Sequence, residues 1–295
     1  MTKNIVPTAA SSETSSGIAD IAGAVRELTT AGWPPGYVYG ATRYADVILK
    51  ESFPSRFQDL VRALLEFRPT LTELRSGGGG RTVFVKRFDD SLSAMKESET
   101  EIWGKQNVTI QKSLHFEGKG LHTTTTRGHE IDMFGKGSVA QPIPGIAIEM
   151  EWNNKDPFFD RDLINFQALH REGAIAVGVI VTRGPKLQSL IGPTVRSKDN
   201  KLKFGQSSTH WDKLLPKVNL GGGGECPLLL VGIEPERIDG IALAMRVKQA
   251  LAEAEEFKKK GWHDSFKSWP EAKPRYTALR KRAVDLMPPL TEEGE

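Results

Sequence analysis

The sequence predicts an α/β fold in which a mixed central sheet is flanked by helices. Two continuous apolar runs, residues 174–182 and 227–233, have the make-up of strands buried on both faces. A third stretch, 145–152, alternates apolar and polar residues as a strand with one wet face does. Segments 56–74 and 237–260 carry apolar residues at helical spacing on either side of these strands.

Taken in order, residues 1–16 are rich in Ser and Thr, lack the apolar core of a signal peptide and read as a disordered tail. Ile18, Ile21, Val25 and Leu28 predict a helix over 18–29, stopped by the Gly and Pro residues of 31–36. The helix over 56–74 presents Phe57, Leu60, Val61, Leu64, Leu65 and Phe67, and Pro69 is expected to kink or split it. Four glycines at 77–80 precede Arg81 but lack the Gly-Lys-Ser/Thr ending of a P-loop. They read as a flexible loop that could touch a DNA backbone.

Residues 82–88 alternate like a strand, and 91–104 look like a polar helix. From Asn107 the pattern turns β, with consecutive strands at 108–116, 131–134 and 145–152. Leu163, Phe166 and Leu169 line one side of a helix over 160–170. The long helix over 237–260 follows the last strand. The organisation expected is a tail (1–16), a mainly helical N-terminal part (17–106), a core (107–260) and a C-terminal extension (261–295), forming one compact domain overall.

A chain of 295 residues can bury a large core, and its 38% hydrophobic and 26% charged content is ordinary for a soluble protein. The net charge of +3 leaves room for a basic cleft. One cysteine, Cys226, excludes an intramolecular disulfide and reads as a buried apolar residue at a strand start. No run approaches the length of a transmembrane span, so no membrane is expected and the cytoplasm is the default location.

The chemistry concentrates in the alternating strand. Side chains at i and i+2 share a face, so Glu149 and Glu151 point one way and Ile146, Ile148 and Met150 the other. Asp132, in the preceding strand, can join them if the two strands pair. Three converging carboxylates repel one another unless a cation neutralises them, and hard oxygen donors suit Mg²⁺. The pattern reads as a site for metal-assisted phosphodiester hydrolysis. Taken locally, two Glu on the wet face of an alternating strand are ordinary in an antiparallel sheet, and that pattern alone favours the plainer reading. His115, His122 and His129 are evenly spaced, but seven-residue spacing matches no usual zinc pattern.

The block Ile148-Glu149-Met150-Glu151-Trp152-Asn153-Asn154-Lys155-Asp156-Pro157, continued to Phe166, resembles the BglII-like type II restriction endonucleases, a branch of the PD-(D/E)xK nuclease superfamily. So do Asp132 ahead of it, 177–183 behind it, and the later blocks 208–216 and 221–233. The resemblance covers about residues 129–233. It implies a restriction-endonuclease-like core with helical N- and C-terminal additions, with 107–260 as the nuclease core. It makes Asp132 and Glu149 the metal-binding acids, with Mg²⁺ as cofactor. Glu151 falls where the superfamily's usual ExK has Lys, and related enzymes place Gln or Glu there. A carboxylate at that position could hydrogen-bond the attacking water, act as general base or help hold a metal, and all three roles stay open. Glu130, on the opposite side of its strand, is not expected to be a ligand.

The activity implied is Mg²⁺-dependent cleavage of double-stranded DNA at a short palindromic site, leaving a 5′-phosphate and a 3′-hydroxyl. A homodimer is expected from the symmetry of such sites, with a cognate DNA methyltransferase as a functional partner only. The alternatives are a low-specificity repair or recombination nuclease, and a catalytically silent DNA-binding protein of the same fold. Asn153, Asn154 and Lys155 follow the catalytic strand, where the resemblance places DNA-facing residues, although Asn-Asn-Lys-Asp also suits a plain turn. Arg183, Lys186 and Lys213 belong to a basic-rich stretch that also contains Ser207, Ser208, Thr209 and His210, and it reads as a DNA-groove lining. The C-terminal stretch 257–282 mixes bases with aromatics and reads either as a DNA arm or as an appended helix.

Overall fold

The computed structural model describes residues 24–76, 81–118, 120–287 and 290. In chain order the elements are β1 (Arg26–Glu27), β2 (Tyr37–Ala41), α1 (Ala45–Ser52), α2 (Pro54–Glu66), α3 (Leu71–Arg75), α4 (Val83–Ser93) and the short strands β3 (Lys96–Glu97) and β4 (Thr100–Glu101). There follow β5 (Trp103–Phe116), β6 (Gly120–Gly135), β7 (Gly145–Glu151), α5 (Pro157–Arg171), β8 (Ile175–Arg183), α6 (Pro185–Thr194), α7 (Trp211–Asn219) and β9 (Leu228–Ile233). Two C-terminal helices, α8 (Ala242–Glu256) and α9 (Trp269–Asp285), complete the described chain, with a π-turn at Phe257–Gly261 between them.

Seven strands form one sheet in the order β1-β2-β9-β8-β7-β6-β5. The central β7, β8 and β9 are parallel, and the outer pairings are antiparallel. This is the mixed sheet the sequence predicts, with helices on both sides. Strand alternation divides its side chains between two cores. Ile148, Met150, Val179, Val181, Leu229 and Val231 pack on one face, against α1, α2, α4, α6 and α8. Ala147, Ile180, Leu228 and Leu230 pack on the other, against Phe159, Leu163 and Phe166 of α5 and Leu214 of α7. Gly178 lies under Phe166, where an added Cβ would stand 2.4 Å from the ring, so only glycine lets α5 sit this close.

Several expectations are corrected. Residues 82–88 are helical, not a strand: Phe84, Val85, Phe88 and Leu92 are all buried, which is helical spacing, and the apparent alternation is that of its first turn alone. The polar helix expected over 91–104 is the end of α4 followed by the β3–β4 hairpin. Its turn residues Ser98 and Glu99 both lie in the left-handed region (φ 49 and 64), as a two-residue hairpin turn requires. Of the helix expected over 18–29, residues 18–23 lie outside the described residues, while Arg26–Glu27 is a strand paired with β2. The tail 1–16 and the glycines 77–80 also lie outside them.

Pro69 does split the helix expected over 56–74. α2 ends at Glu66, and α3 restarts on a capping box in which Thr70 and Glu73 satisfy each other's backbone N–H. The helix expected from 237 begins at Ala242, after Gly240 at φ 78. Only the base of β6, Met133–Gly135, pairs with β7; the rest of β5 and β6 pair with each other as a two-stranded ribbon. Among the described residues no helix is long and apolar enough to cross a membrane.

Candidate active site

The carboxyl end of β7 brings the three predicted acids together. Met133 pairs with Ile148, so the next step along each antiparallel strand sets Asp132 beside Glu149. The Asp132 N–H donates to Glu149 Oε1 at 3.2 Å. Glu149 and Glu151 share the face of Ala147, directed toward α5, and are buried at 4% and 3% exposure. Asp132 is half-buried. The β7–β8 pairing fixes the strand end, where Thr182 Oγ1 donates to the Glu151 carbonyl at 2.7 Å. Glu130 is exposed and ion-paired with Lys105 at 2.7 Å, away from this cluster.

A fourth acid, Asp162, completes the cluster from the second turn of α5. It is 1% exposed, and its Oδ2 has no hydrogen-bond partner. Burial, then the charges of Asp132 and Asp162, push the Glu149 carboxyl well above the usual carboxylate range. Burial and Asp162 push Glu151 up in the same way, and burial raises Asp162. Among the described residues the one cation in this cluster is Arg161. Its Nη2 lies 3.3 Å from Glu151 Oε1 and 2.7 Å from Asp162 Oδ1, and its half-exposed guanidinium sits 4.7 Å from the Phe158 ring. Asn154 Nδ2 donates to Glu151 Oε2 at 2.6 Å.

Neither Asp162 nor Arg161 was expected from the sequence. The signal was present for Asp162. Phe159, Leu163 and Phe166 form a buried stripe at helical spacing, and residue 162 is the i+3 position of that stripe, occupied by a charge.

The expected DNA-facing residues divide into two sets. Asn153, Asn154 and Lys155 are exposed, and their loop lies against 207–209. Thr209 N–H donates to the Asn154 carbonyl at 2.8 Å, Asp156 N–H to the Ser207 carbonyl at 3.1 Å, and Lys155 bridges Ser208. Ser207 and Lys186 are exposed; Ser208 and Lys213 are half-buried.

Thr209, His210 and Arg183 are buried at 0%, 2% and 0% exposure. His210 Nδ1 lies 2.7 Å from the Ser208 carbonyl, and burial lowers its pKa. Arg183 donates to the Thr209 carbonyl, Gln188 Oε1 and Ser208 Oγ at 2.6 Å each and lies near the rings of Trp152 and Phe204. Its guanidinium braces the 207–209 loop from beneath.

Among the described residues no three His, Cys, Asp or Glu side chains form a ready-made metal cage. The donor chemistry nevertheless fits a hard divalent cation: only oxygens are offered, their negative charge exceeds what Arg161 neutralises, and one buried oxygen of Asp162 is unsatisfied.

A mixed sheet bearing clustered acids at the carboxyl end of a parallel strand, rimmed by amides, hydroxyls and lysines, marks the class as a nuclease-type α/β core. Residues 37–233, more than half of the chain, match the family of restriction endonuclease BglII/BglIII, and the chain belongs to that family. It is thus a type II restriction endonuclease, a site-specific deoxyribonuclease that binds double-stranded DNA. Enzymes of this kind generally use a divalent metal. Comparison with curated proteins gave no match.

Proposed function

We propose that this enzyme cleaves double-stranded DNA at a short palindromic site in a Mg²⁺-dependent reaction, with Asp132, Glu149 and Glu151 as its catalytic residues. The observation that carries this reading is the convergence of these acids with Asp162 at one strand end, at a cost in buried negative charge that packing alone does not require. Asp132 and Glu149 would hold the ion. When bound, Mg²⁺ supplies charge neutralisation at the phosphoryl oxygens and makes an attacking water more acidic.

The chain's own groups do the rest. Glu151, fixed by Asn154 and Arg161, presents a carboxylate that can orient the water and accept its proton. Arg161 sets a cation beside the position where the superfamily's lysine is replaced by Glu151. Asn153, Lys155 and Ser207 form an exposed rim for base edges and phosphates, and Lys186 and Lys213 add phosphate contacts. Two copies related by a two-fold axis would cut one strand each, and a cognate methyltransferase would protect the host genome.

The test is digestion of unmethylated phage DNA with Mg²⁺ and with EDTA. Discrete fragments that need Mg²⁺ are expected, with loss of cutting and retained binding in Asp132→Ala and Glu149→Ala. A smear would instead favour a low-specificity nuclease. Binding without cleavage on several DNAs would favour a catalytically silent protein, and full activity in either variant would overturn the site.

A further inference from the structure

The second half of the C-terminal helical hairpin, which lies outside the matched region, carries more positive charge than the chain has in excess overall. Residues 257–285 contain nine Lys or Arg against three Asp or Glu, a net of +6, whereas the whole chain has +3. The remainder is therefore net negative. All nine cations are exposed, and among the described residues none is ion-paired with a carboxylate. Elsewhere several surface cations do have carboxylate partners, as in Lys86–Asp90, Lys112–Glu172 and Lys217–Asp160.

Like charges are also drawn together. Lys258, from the π-turn, and Arg280, from α9, sit 5.5 and 5.9 Å from the same Tyr276 ring. Arg280, Lys281 and Arg282 are consecutive in α9, as Lys258, Lys259 and Lys260 are in the turn. Helix dipoles favour cations at helix C-termini and account for part of this, but Lys267 lies immediately before the N-cap of α9, where the dipole disfavours it. The hairpin is not a loose tail: α8 packs against α6, and Lys248 Nζ donates to Ser189 Oγ at 2.9 Å.

We propose that this hairpin is a DNA-backbone clamp, which grips phosphates of the duplex without reading sequence. The inference rests on DNA being the enzyme's substrate and not on the assignment of the carboxylates. Unpaired cations on a rigid support release condensed counterions when they meet phosphates, giving affinity that is uniform over sequences and steeply salt-dependent. Such a clamp would hold the enzyme on DNA while the rim of the active site searches for its site.

The test uses the full-length protein with two triple variants, Lys258→Gln/Lys259→Gln/Lys260→Gln and Arg280→Gln/Lys281→Gln/Arg282→Gln. Binding is measured in EDTA to a duplex of random sequence and to one containing the mapped site, across a salt series. All six positions are exposed, so melting curves should match wild type. We expect each variant to bind both duplexes more weakly by a similar factor, about tenfold or more at low salt. The slope of log K against log salt should fall by about 0.9 for each phosphate that the variant no longer neutralises. Glu149→Ala, which belongs to the cutting site, should keep the wild-type slope, so failure of the site assignment is read separately. An unchanged affinity and slope in both triple variants would overturn the clamp. So would a loss of self-association without DNA at unchanged DNA affinity, which would assign the patch to a protein interface.

Discussion

Arg183→Met tests whether a buried cation holds the 207–209 loop, part of the proposed DNA rim, in place. The guanidinium is fully buried and has three acceptors, the Thr209 carbonyl, Gln188 Oε1 and Ser208 Oγ, each at 2.6 Å. Burial alone pulls its pKa down to about 9, because no carboxylate compensates it. Replacing it strands two buried acceptors, the Thr209 carbonyl and Gln188 Oε1, at about 1–3 kcal/mol each, and frees the half-buried Ser208 hydroxyl. Relief of the ion's desolvation, worth several kcal/mol, offsets part of this. The net loss should be about 2–4 kcal/mol, read as a fall in the urea midpoint at constant m-value. Arg183→Lys, a point charge with no planar fork, should recover only part of it.

The same variant should slow cutting. Thr209 N–H holds the Asn154 carbonyl, and the Asn154 amide holds Glu151 Oε2 at 2.6 Å, so the brace is relayed to the carboxylate proposed to act on the attacking water. Binding to random DNA should change little. A stability loss under about 1 kcal/mol together with an unchanged cutting rate would refute the relay.

Two further outcomes are expected. Asp162→Asn removes one of the mutually repelling buried charges, so the protein in EDTA should melt higher, by roughly 1 kcal/mol of stability, while Mg²⁺-dependent cutting falls; a lower melting temperature with full activity would contradict this. Glu234 is buried beside the N-terminus of α6, with Oε2 unpartnered, and burial pushes its carboxyl from 4.5 up to about 7. A raised folded-state value means its contribution is fully present below pH 4.5 and is lost as pH rises through 7. Wild type should therefore lose about 1–2 kcal/mol between pH 5 and 8, after allowance for solvent screening, and Glu234→Gln should not. Parallel pH–stability curves for the two proteins would count against the assignment.

The sheet was legible because its central strands are decided by burial. Residues 174–182 and 227–233 are apolar on both faces and short, and as central strands they are buried almost throughout. The N-terminal half was less legible because local pattern and tertiary demand diverge there. Val83 and Val85 suggest a strand, yet Val83 is 71% exposed, and it is Phe84 and Phe88, one helical turn apart, that enter the core beside Phe67 and Trp152. β2 is another such case. Its five residues follow a Gly- and Pro-rich stretch that looks like a breaker, and it is tertiary pairing, with β9 along its whole length and with β1 at its end, that makes them a strand.

The site was readable where strand alternation alone placed a side chain and unreadable where packing did. Glu149, Glu151 and Asp132 follow from period two and one pairing register. Arg183 was expected to face DNA because the stretch around it is basic, yet it is the last residue of a strand whose neighbours are all buried, and alternation cannot tell a strand end that meets solvent from one roofed by a loop. Asp162 and Arg161 required knowing which face of α5 meets β7. That contact also explains a tension within the centre. Asp162 adds negative charge to acids already held in their raised range, and among the described residues the fold answers with Arg161 alone, half-exposed and held between Glu151 and Asp162. A centre built for stability would fill residue 162 with Leu. One built to capture a cation and a phosphate at the same edge keeps the excess charge and an exposed guanidinium beside it, so the neutralisation that folding leaves incomplete becomes binding energy for the substrate complex.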